Sequence, residues 1–582
     1  MKKTMKAICL MLVCAMVLPL VACGGGGGGD VSQNNGPRDL EWLNLESALP
    51  IVKEGTEKTL EIVILHPGAV GKTEEKWFYE FVEKEMNINL DVTVLKDGGQ
   101  QLTLLFADGD LPDIIIGAGL DEAKLMRYGA DEGMLQNLTP YITPELTPNL
   151  YKIFAENPDI KQEFTDKDGK IWSLDYIGNG NSSGLISRAF INYDWLERAE
   201  METPATLDEF LAMLRAFKKT GSDVTPMGGS WSAENPMLIL LNAFGYITEN
   251  PKGMDVALRD GKIVLPVADR ELFGEYLKLF KQIYDEGLIH KNFFTMGYSD
   301  IKTMIAQNKT GYTTAAPFTQ TSNFTAWWGA QPLTSQYNTT AQWPVADTTV
   351  GDFVISAKSD NVELAMRFAD WFFDPTGANY YLSCNGPAST QPEYVYSDLV
   401  AGYEVDAENL MKYYPGYIRN QKKFSSLADY SAKHIYLLPY GSVGCCFDST
   451  YDVMMTQIMG YTKEEIYAKY TDVSAEGIQA DVRKEYNVDG DEQFRAALED
   501  TMVPFATAKQ LPNAYLDPEV VAELANAWTL VNEYATIEIA NFVIGRTELN
   551  EENLNKYFDE IEALGATKIL NAYRNYFEGI YQ

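Results

Sequence analysis

The stretch from Leu60 to Ile116 constrains the fold more than any other. Residues 60–65 (LEIVIL) form an unbroken aliphatic run, the pattern of a strand buried on both faces. The run stops at His66-Pro67-Gly68, a turn sequence. Residues 74–84 place Trp77, Phe78, Phe81 and Val82 at helical spacing. Residues 88–95 (INLDVTVL) alternate as a second strand, and 101–107 predict a short helix. Leu111-Pro112-Asp113 then leads into a third strand over 114–116. Strands separated by helices need crossover connections, so the pattern predicts βαβ units on a largely parallel sheet, an α/β architecture. Ligands of such sheets bind beyond the carboxyl ends of the strands. The loops at 66–71 and 117–121 are therefore the first candidates for a site.

Later segments are punctuated in the same way. Thr206-Leu207-Asp208-Glu209 fits a capping box, and Leu207, Phe210, Leu211, Leu214 and Phe217 follow as an apolar stripe. Residues 272–284 and 362–373 are amphipathic helices, the second stopped by Asp374-Pro375. Asp517-Pro518 predicts a further helix with Asp517 as N-cap and proline at its first position. The tail over 551–581 is helical, broken at Gly565. No long repeat interrupts this order.

The amino terminus carries an address. Lys2, Lys3 and Lys6 precede sixteen uncharged residues, 7–22. That core is shorter than the roughly 20 residues a membrane-spanning helix needs. A basic start with a short apolar core is the layout of a secretory leader. The stretch ends Leu20-Val21-Ala22-Cys23, which resembles the lipobox of bacterial lipoproteins. The resemblance implies that 1–22 is a signal peptide and that Cys23 is acylated and becomes the first mature residue. Two acyl chains suffice for stable anchoring. An ordinary leader with an incidental cysteine is the alternative. Gly24 to Gly29 and the polar run to Pro37 read as flexible coil, a tether over 23–37.

Composition excludes some partners. The chain of 582 residues exceeds one simple core and predicts two or more lobes. Its formal charge of −35 becomes −38 without the three leader lysines. Nucleic acid and anionic lipid surfaces both require clustered Lys or Arg, so neither is an expected partner. Three histidines argue against His-rich metal or triad chemistry. After Cys9, Cys14 and Cys23, only Cys384, Cys445 and Cys446 remain. Three thiols make no disulfide framework; a bridge from Cys384 to one of the pair, or small buried thiols, both fit. The 10 Trp, 34 Tyr and 26 Phe exceed ordinary core needs and suit stacking on sugar faces.

Several motifs, in order, resemble extracellular solute-binding proteins of ABC importers, in particular large LipO-like oligosaccharide-binding lipoproteins of family 1. Gly109-Asp110-Leu111-Pro112-Asp113-Ile114-Ile115 is similar to the family's xLPDI strand start. Asp168-Gly169-Lys170-Ile171-Trp172-Ser173-Leu174 is similar to its DGKxYxxP segment, with Asp175 where proline is usual. Asn192-Tyr193-Asp194-Trp195-Leu196, followed by Pro204 to Phe210, is similar to RxDWLxxLGLxxPxTxxEF, with Asn192 replacing arginine. Glu286-Gly287-Leu288-Ile289, Gln307 to Gly311, Ile355-Ser356-Ala357 and Phe542-Val543-Ile544-Gly545-Arg546 continue the match.

The resemblance implies a two-lobed periplasmic-binding-protein-like fold with a hinge and an interlobe cleft. Lobe 1 would hold 38–175 and 350–388; lobe 2 would hold 176–349 and 389–582. It implies a monomer on the outer face of the bacterial cell membrane that hands a carbohydrate to an ABC permease. No cofactor is implied. Some relatives carry a calcium loop like DPDGNGKxDE after the capped helix. Hard Ca²⁺ needs about 6–8 oxygens. Residues 218–225 (KKTGSDVT) offer one carboxylate and two lysines, so no metal is expected there. Residues 487–492 lack EF-hand spacing and read as a turn before a helix at Phe494.

A sugar cleft needs aromatic plates surrounded by hydrogen-bonding side chains. Trp231, on the glycine-flexed loop Gly228-Gly229-Ser230-Trp231-Ser232 after a short strand at 224–227, is the leading plate candidate. Phe318 follows the strand at 312–314. Trp327, Trp328 and Trp343 lie in a Gln- and Asn-rich loop. Trp172 and Tyr176 flank the first expected hinge, Asn181 sits in the polar loop crossing it, and Asp352 lies near the return crossing. Residues 440–448 form a late glycine-flexed loop. A packing role competes at every one of these positions. Three rivals remain: an anchored glycoside hydrolase with paired carboxylates, a binder of a non-sugar solute such as a peptide, and an adhesion lipoprotein. The chain has no G-x-S-x-G, HExxH or P-loop, and Ser183 breaks a dinucleotide fingerprint at Gly178-x-Gly180.

Overall fold

A computed structural model describes residues 40–66, 72, 76–96, 98–178, 188–317, 320–321, 323–345, 350–377, 379–380, 383, 438, 442–445, 497–498 and 500–578. Cys23, Asn181, Phe318, Cys384, Cys446 and the 487–492 turn lie outside the described residues.

The aliphatic runs form the predicted parallel sheet. β1 (Thr59–Leu65) pairs in parallel with β2 (Asn89–Leu95) on one side and β3 (Ile114–Ile116) on the other. The strand Phe353–Ile355 returns from far along the chain and adds antiparallel to β3. Side chains alternate between faces along a strand. Ile62 and Ile64 accordingly pack with the helix Val362–Phe372, whereas Val63 and Leu65 pack with Leu102, Phe106 and Trp172. A sheet covered on both faces explains why LEIVIL carries no polar position. The first crossover helix, Trp77–Phe81, widens into a π turn over Val82–Met86; the second is Gly98–Asp108.

A second sheet has the order Trp327–Gly329, Phe190–Asn192, Tyr312–Thr313, Met227–Gly228. Only the last pair is parallel. The capping box forms before the helix Leu207–Lys218: Glu209 N–H donates to Thr206 Oγ1 at 3.3 Å, and Thr206 N–H to Glu209 Oε2 at 3.1 Å. Phe210, Leu214 and Phe217 then enter a large core shared with the helices Phe273–Asp285, Pro518–Val543 and Glu551–Ala563. The tail breaks at Gly565, whose φ of +115° suits glycine, before the last helix Ala566–Tyr576.

Among the described residues the two cores exchange chain repeatedly. Ile177 belongs to the first and Ala189 to the second; Trp343 belongs to the second and Phe353 to the first. Tyr515 packs beside Trp172 in the first lobe, while Leu516 packs in the second.

One expected placement is corrected. Leu438, Val443 and Cys445 pack in the first lobe, not in the second with the rest of 389–582. The cause is pairing: Gly444–Cys445 lies parallel to Tyr176–Ile177, and the Cys445 thiol donates to the Asp374 carbonyl at 3.2 Å. Asp517 is the N-cap of its helix as expected, with proline in the first turn, and makes no side-chain cap bond. Both its carboxylate oxygens instead accept from Lys167 Nζ at 2.7 Å.

Candidate ligand cleft

The pairing registers locate the carboxyl edge of each sheet. In the first lobe β1, β2 and β3 end at Leu65, Leu95 and Ile116, and Phe353 pairs with Ile116. Asp352 therefore stands on the same edge as the loop after β3. Leu174 bridges Phe353 in antiparallel fashion, so the chain leaves this lobe past Asp175 at that edge too. In the second lobe Thr313 pairs with both Phe190 and Gly228, and Gly329 with Phe190. Arg188, Thr314, the 229–236 loop and Ala330 consequently leave at one edge. The first crossing thus runs from the first-lobe edge at Asp175 to the second-lobe edge at Arg188, and the chain re-enters the first lobe at Asp352.

The first-lobe edge is locked by its own hydrogen bonds. Ala118 N–H donates to the Asp352 carbonyl at 3.1 Å and Leu120 N–H to the Gly351 carbonyl at 3.1 Å. Asp352 Oδ1 accepts from Gly119 N–H at 3.0 Å. Gly351 has φ +82°, and a Cβ there would meet the Leu120 carbonyl oxygen at 1.8 Å. Asp175 is fully buried; its carboxylate accepts from Ser173 Oγ at 2.6 Å and from Asp352 N–H. Burial pushes the Asp175 carboxyl well above its usual range, and the Asp352 charge adds to the shift. Burial likewise raises Asp352 to about 6, opposed by the Gly119 amide. Asp352 thus stands at the carboxyl edge with one oxygen engaged in holding the loop.

The aromatic candidates separate by packing. Trp231 is 7% exposed; Phe280 stacks at 6.4 Å, Phe294 leans in at 5.6 Å, and Lys252 Nζ lies 5.6 Å from its ring centroid. Trp172 is 2% exposed and donates from Nε1 to Asp166 Oδ2 at 2.9 Å. Its ring lies so close to Gly129 that a Cβ there would meet it at 2.5 Å. Trp327 is 1% exposed, and Trp343 is fully buried. Trp231, the leading plate candidate, is stacked on Phe280, and Trp172 beside the hinge and Trp327 in the polar loop are likewise buried. Tyr176 and Trp328 are half-buried. Tyr176 packs against Tyr380 with centroids 4.9 Å apart, and Trp328 Nε1 donates to Asp500 Oδ2 at 3.0 Å.

Three residues at the second-lobe edge escaped the sequence reading. Arg188 is partly buried, and burial lowers its guanidinium pKa. Glu234 is partly buried at a left-handed φ of +46°. Burial raises its carboxyl and the Thr314 hydroxyl opposes that rise. Thr314 is nine-tenths buried. The available signal was the double glycine at Gly228-Gly229, which marks a backbone forced into close approach. A Cβ on Gly229 would meet the Glu234 carbonyl at 2.2 Å.

At 218–225, where relatives would carry calcium, ammonium groups sit on the oxygens. Lys309 pairs with Asp223 at 2.5 Å, and Lys218 donates to the Val224 carbonyl at 2.9 Å. Among the described residues no group of three or more His, Cys, Asp or Glu could hold a metal ion. Among them, too, no helix is long and apolar enough to cross a membrane.

Two α/β cores joined edge to edge by crossing segments define a periplasmic-binding-protein-like fold, built to hold a ligand between its lobes. The chain belongs to the bacterial extracellular solute-binding protein family, whose profile matches residues 68–379, more than half of its length. It is similar to the fructooligosaccharide ABC transporter substrate-binding protein FusA of Streptococcus pneumoniae, 32% identical over 233 residues, 38% of this chain and 42% of the relative. It is similar to lipoprotein LipO of Bacillus subtilis, 22% identical over 269 residues, 44% of this chain and 50% of the relative. These matches span half or less of the relatives' own length. Among solved structures, FusA in complex with kestose aligns with a TM-score of 0.58 at 20% identity, covering 90% of this chain and 99% of that one. An extracellular solute-binding protein from Bifidobacterium longum subsp. infantis aligns with a TM-score of 0.62 at 16% identity, covering 91% and 100%. At these identities the structural likeness concerns the fold.

Proposed function

We propose that this chain captures an oligosaccharide between its two lobes and delivers it to the permease of an ABC importer, without transforming it. The observation that carries this reading is the edge-to-edge joining of two α/β lobes in a member of the solute-binding family. Similarity to relatives described as fructooligosaccharide- and polygalacturonan/rhamnogalacturonan-binding supports a carbohydrate ligand. The half-open Tyr176 and Trp328, with Asp352, Arg188 and Glu234, are the described side chains proposed to meet it. Asn181 and Phe318 are proposed beside them from sequence. Cys23 is the proposed lipid anchor, tying the receptor by its glycine tether to the outer membrane face. The working unit is proposed to be a monomer.

The test is a thermal-shift screen against a glycan panel with the chain from Asp30, which retains the whole compact unit Asp39–Gln582. A ligand at 100 times its Kd adds about 2.7 kcal/mol. Reversible stabilisation without product supports capture. Released product would replace it with the hydrolase reading. For the anchor, metabolic labelling with an alkyne fatty acid should mark the wild type and not Cys23→Ala; equal labelling refutes it.

A further inference from the structure

The loop that follows Met227–Gly228 is stitched at almost every residue. Ser230 N–H donates to the Ala233 carbonyl at 3.0 Å, and Ala233 N–H returns to Ser230 Oγ at 3.0 Å. Ser232 Oγ donates to the Met296 carbonyl at 3.2 Å. Asn235 Oδ1 accepts from Met237 N–H at 3.1 Å, and its amide reaches the Trp231 carbonyl at 3.4 Å. Glu234 differs. Its backbone is held at φ +46°, a conformation costly for a side-chain-bearing residue. Yet its carboxylate makes no ion pair or backbone bond among the described residues, and only the Thr314 hydroxyl acts on it. That hydroxyl is itself shielded from solvent and has no partner of good hydrogen-bond geometry. A strained backbone thus presents a partly desolvated acceptor beside a buried hydroxyl at the second-lobe edge. Strain held without structural return is characteristic of ligand-contacting positions.

We infer that Glu234, with Thr314 beside it, is the specificity-setting acceptor of the cleft, reading sugar hydroxyls and selecting uncharged glycans over uronic acid ones. The inference rests on the proposed capture of carbohydrate. A carboxylate accepts only, through two oxygens, so it matches a pair of neighbouring sugar hydroxyls that donate. It repels a second carboxylate, and the repulsion is stronger where water is partly excluded. Arg188 leaves the same edge, and the carboxylate of Glu234 makes no ion pair among the described residues. In the first lobe Lys96 follows β2, the outermost strand, whereas Asp352 stands at the opposite end of the sheet order.

The test is isothermal titration of the chain from Asp30 with kestose, maltotriose, xylotriose and trigalacturonate, for the wild type, Glu234→Gln and Thr314→Val. The wild type should bind at least one neutral trisaccharide tenfold or more tighter than trigalacturonate. Glu234→Gln should lose tenfold or more on that neutral sugar and narrow the gap to trigalacturonate, with its unliganded melting temperature near wild type. Thr314→Val, which leaves Glu234 in place, should lose less affinity in the same direction and serves if Glu234→Gln does not fold. Undiminished neutral binding in both variants, or a wild-type preference for trigalacturonate, overturns the assignment while leaving capture intact. Binding of no glycan at all overturns capture and this inference with it.

Discussion

The two carboxyl edges that meet at the crossings are built on opposite terms. In the first lobe Asp175, Asp352, Ser173 and the amides of Gly119 and Gly351 bond to one another, and the edge holds the hinge together. In the second lobe the partly buried Glu234 carboxylate has only the Thr314 hydroxyl beside it among the described residues. Polar groups that are fully satisfied rigidify; those left short must find water or a ligand. The difference teaches that carboxylates near a cleft are not interchangeable evidence of binding. Those of the first edge are engaged in architecture.

The comparison can be broken in several places. The largest effect is expected at Gly351. Valine there would combine a left-handed φ with a clash against the Leu120 carbonyl and should destabilise by about 4 kcal/mol or more, read by urea unfolding. A loss below about 1 kcal/mol would mean that the first edge is not rigid. Trp231→Ala should cost about 3–5 kcal/mol by opening a core cavity beside Phe280 and Phe294, with glycan affinity of the folded protein retained. Selective loss of affinity at unchanged stability would return Trp231 to the cleft.

A third test uses pH. A carboxyl whose pKa rises on folding keeps its proton in the native state after the unfolded chain has released it. Its contribution to stability therefore falls as pH rises from the ordinary 3.8 to about 6, the value reached by Asp352. Asp175 shifts in the same direction. Asp352→Asn keeps an oxygen for Gly119 N–H and should flatten that fall, gaining on the wild type toward neutral pH. Parallel stability curves for the two proteins would reject a desolvated Asp352. The smallest effect belongs to Lys167 and Asp517, a pair about half exposed on both sides. Lys167→Ala should cost at most about 1 kcal/mol in a double-mutant cycle.

Much of the fold was legible because the signals were local. The aliphatic run at 60–65, the capping box at 206–209 and the glycine at 565 each act through residues within a few positions, so pattern and outcome agree. Asp517 is the N-cap as expected, but its carboxylate is engaged by Lys167, 350 residues away, which no local pattern could show. Placing 438–445 with the wrong lobe has the same origin, since the strand it joins begins at Tyr176.

The site was less legible. Tryptophan composition pointed to sugar stacking, but whether an indole faces a cleft or a core depends on what the rest of the chain brings to it. Trp231 met Phe280 and Phe294, and Trp172 met Asp166 and Gly129. Glu234 offered nothing in its neighbourhood except the double glycine before it. By itself, then, the sequence determined the parallel strands, the capped helix starts and the family, because periodicity, caps and ordered motifs are short-range facts. Tertiary structure alone decided which aromatics were consumed by packing and which carboxylates became hinge or remained available. Those outcomes depend on contacts between residues tens to hundreds of positions apart, as Asp175 and Asp352 are.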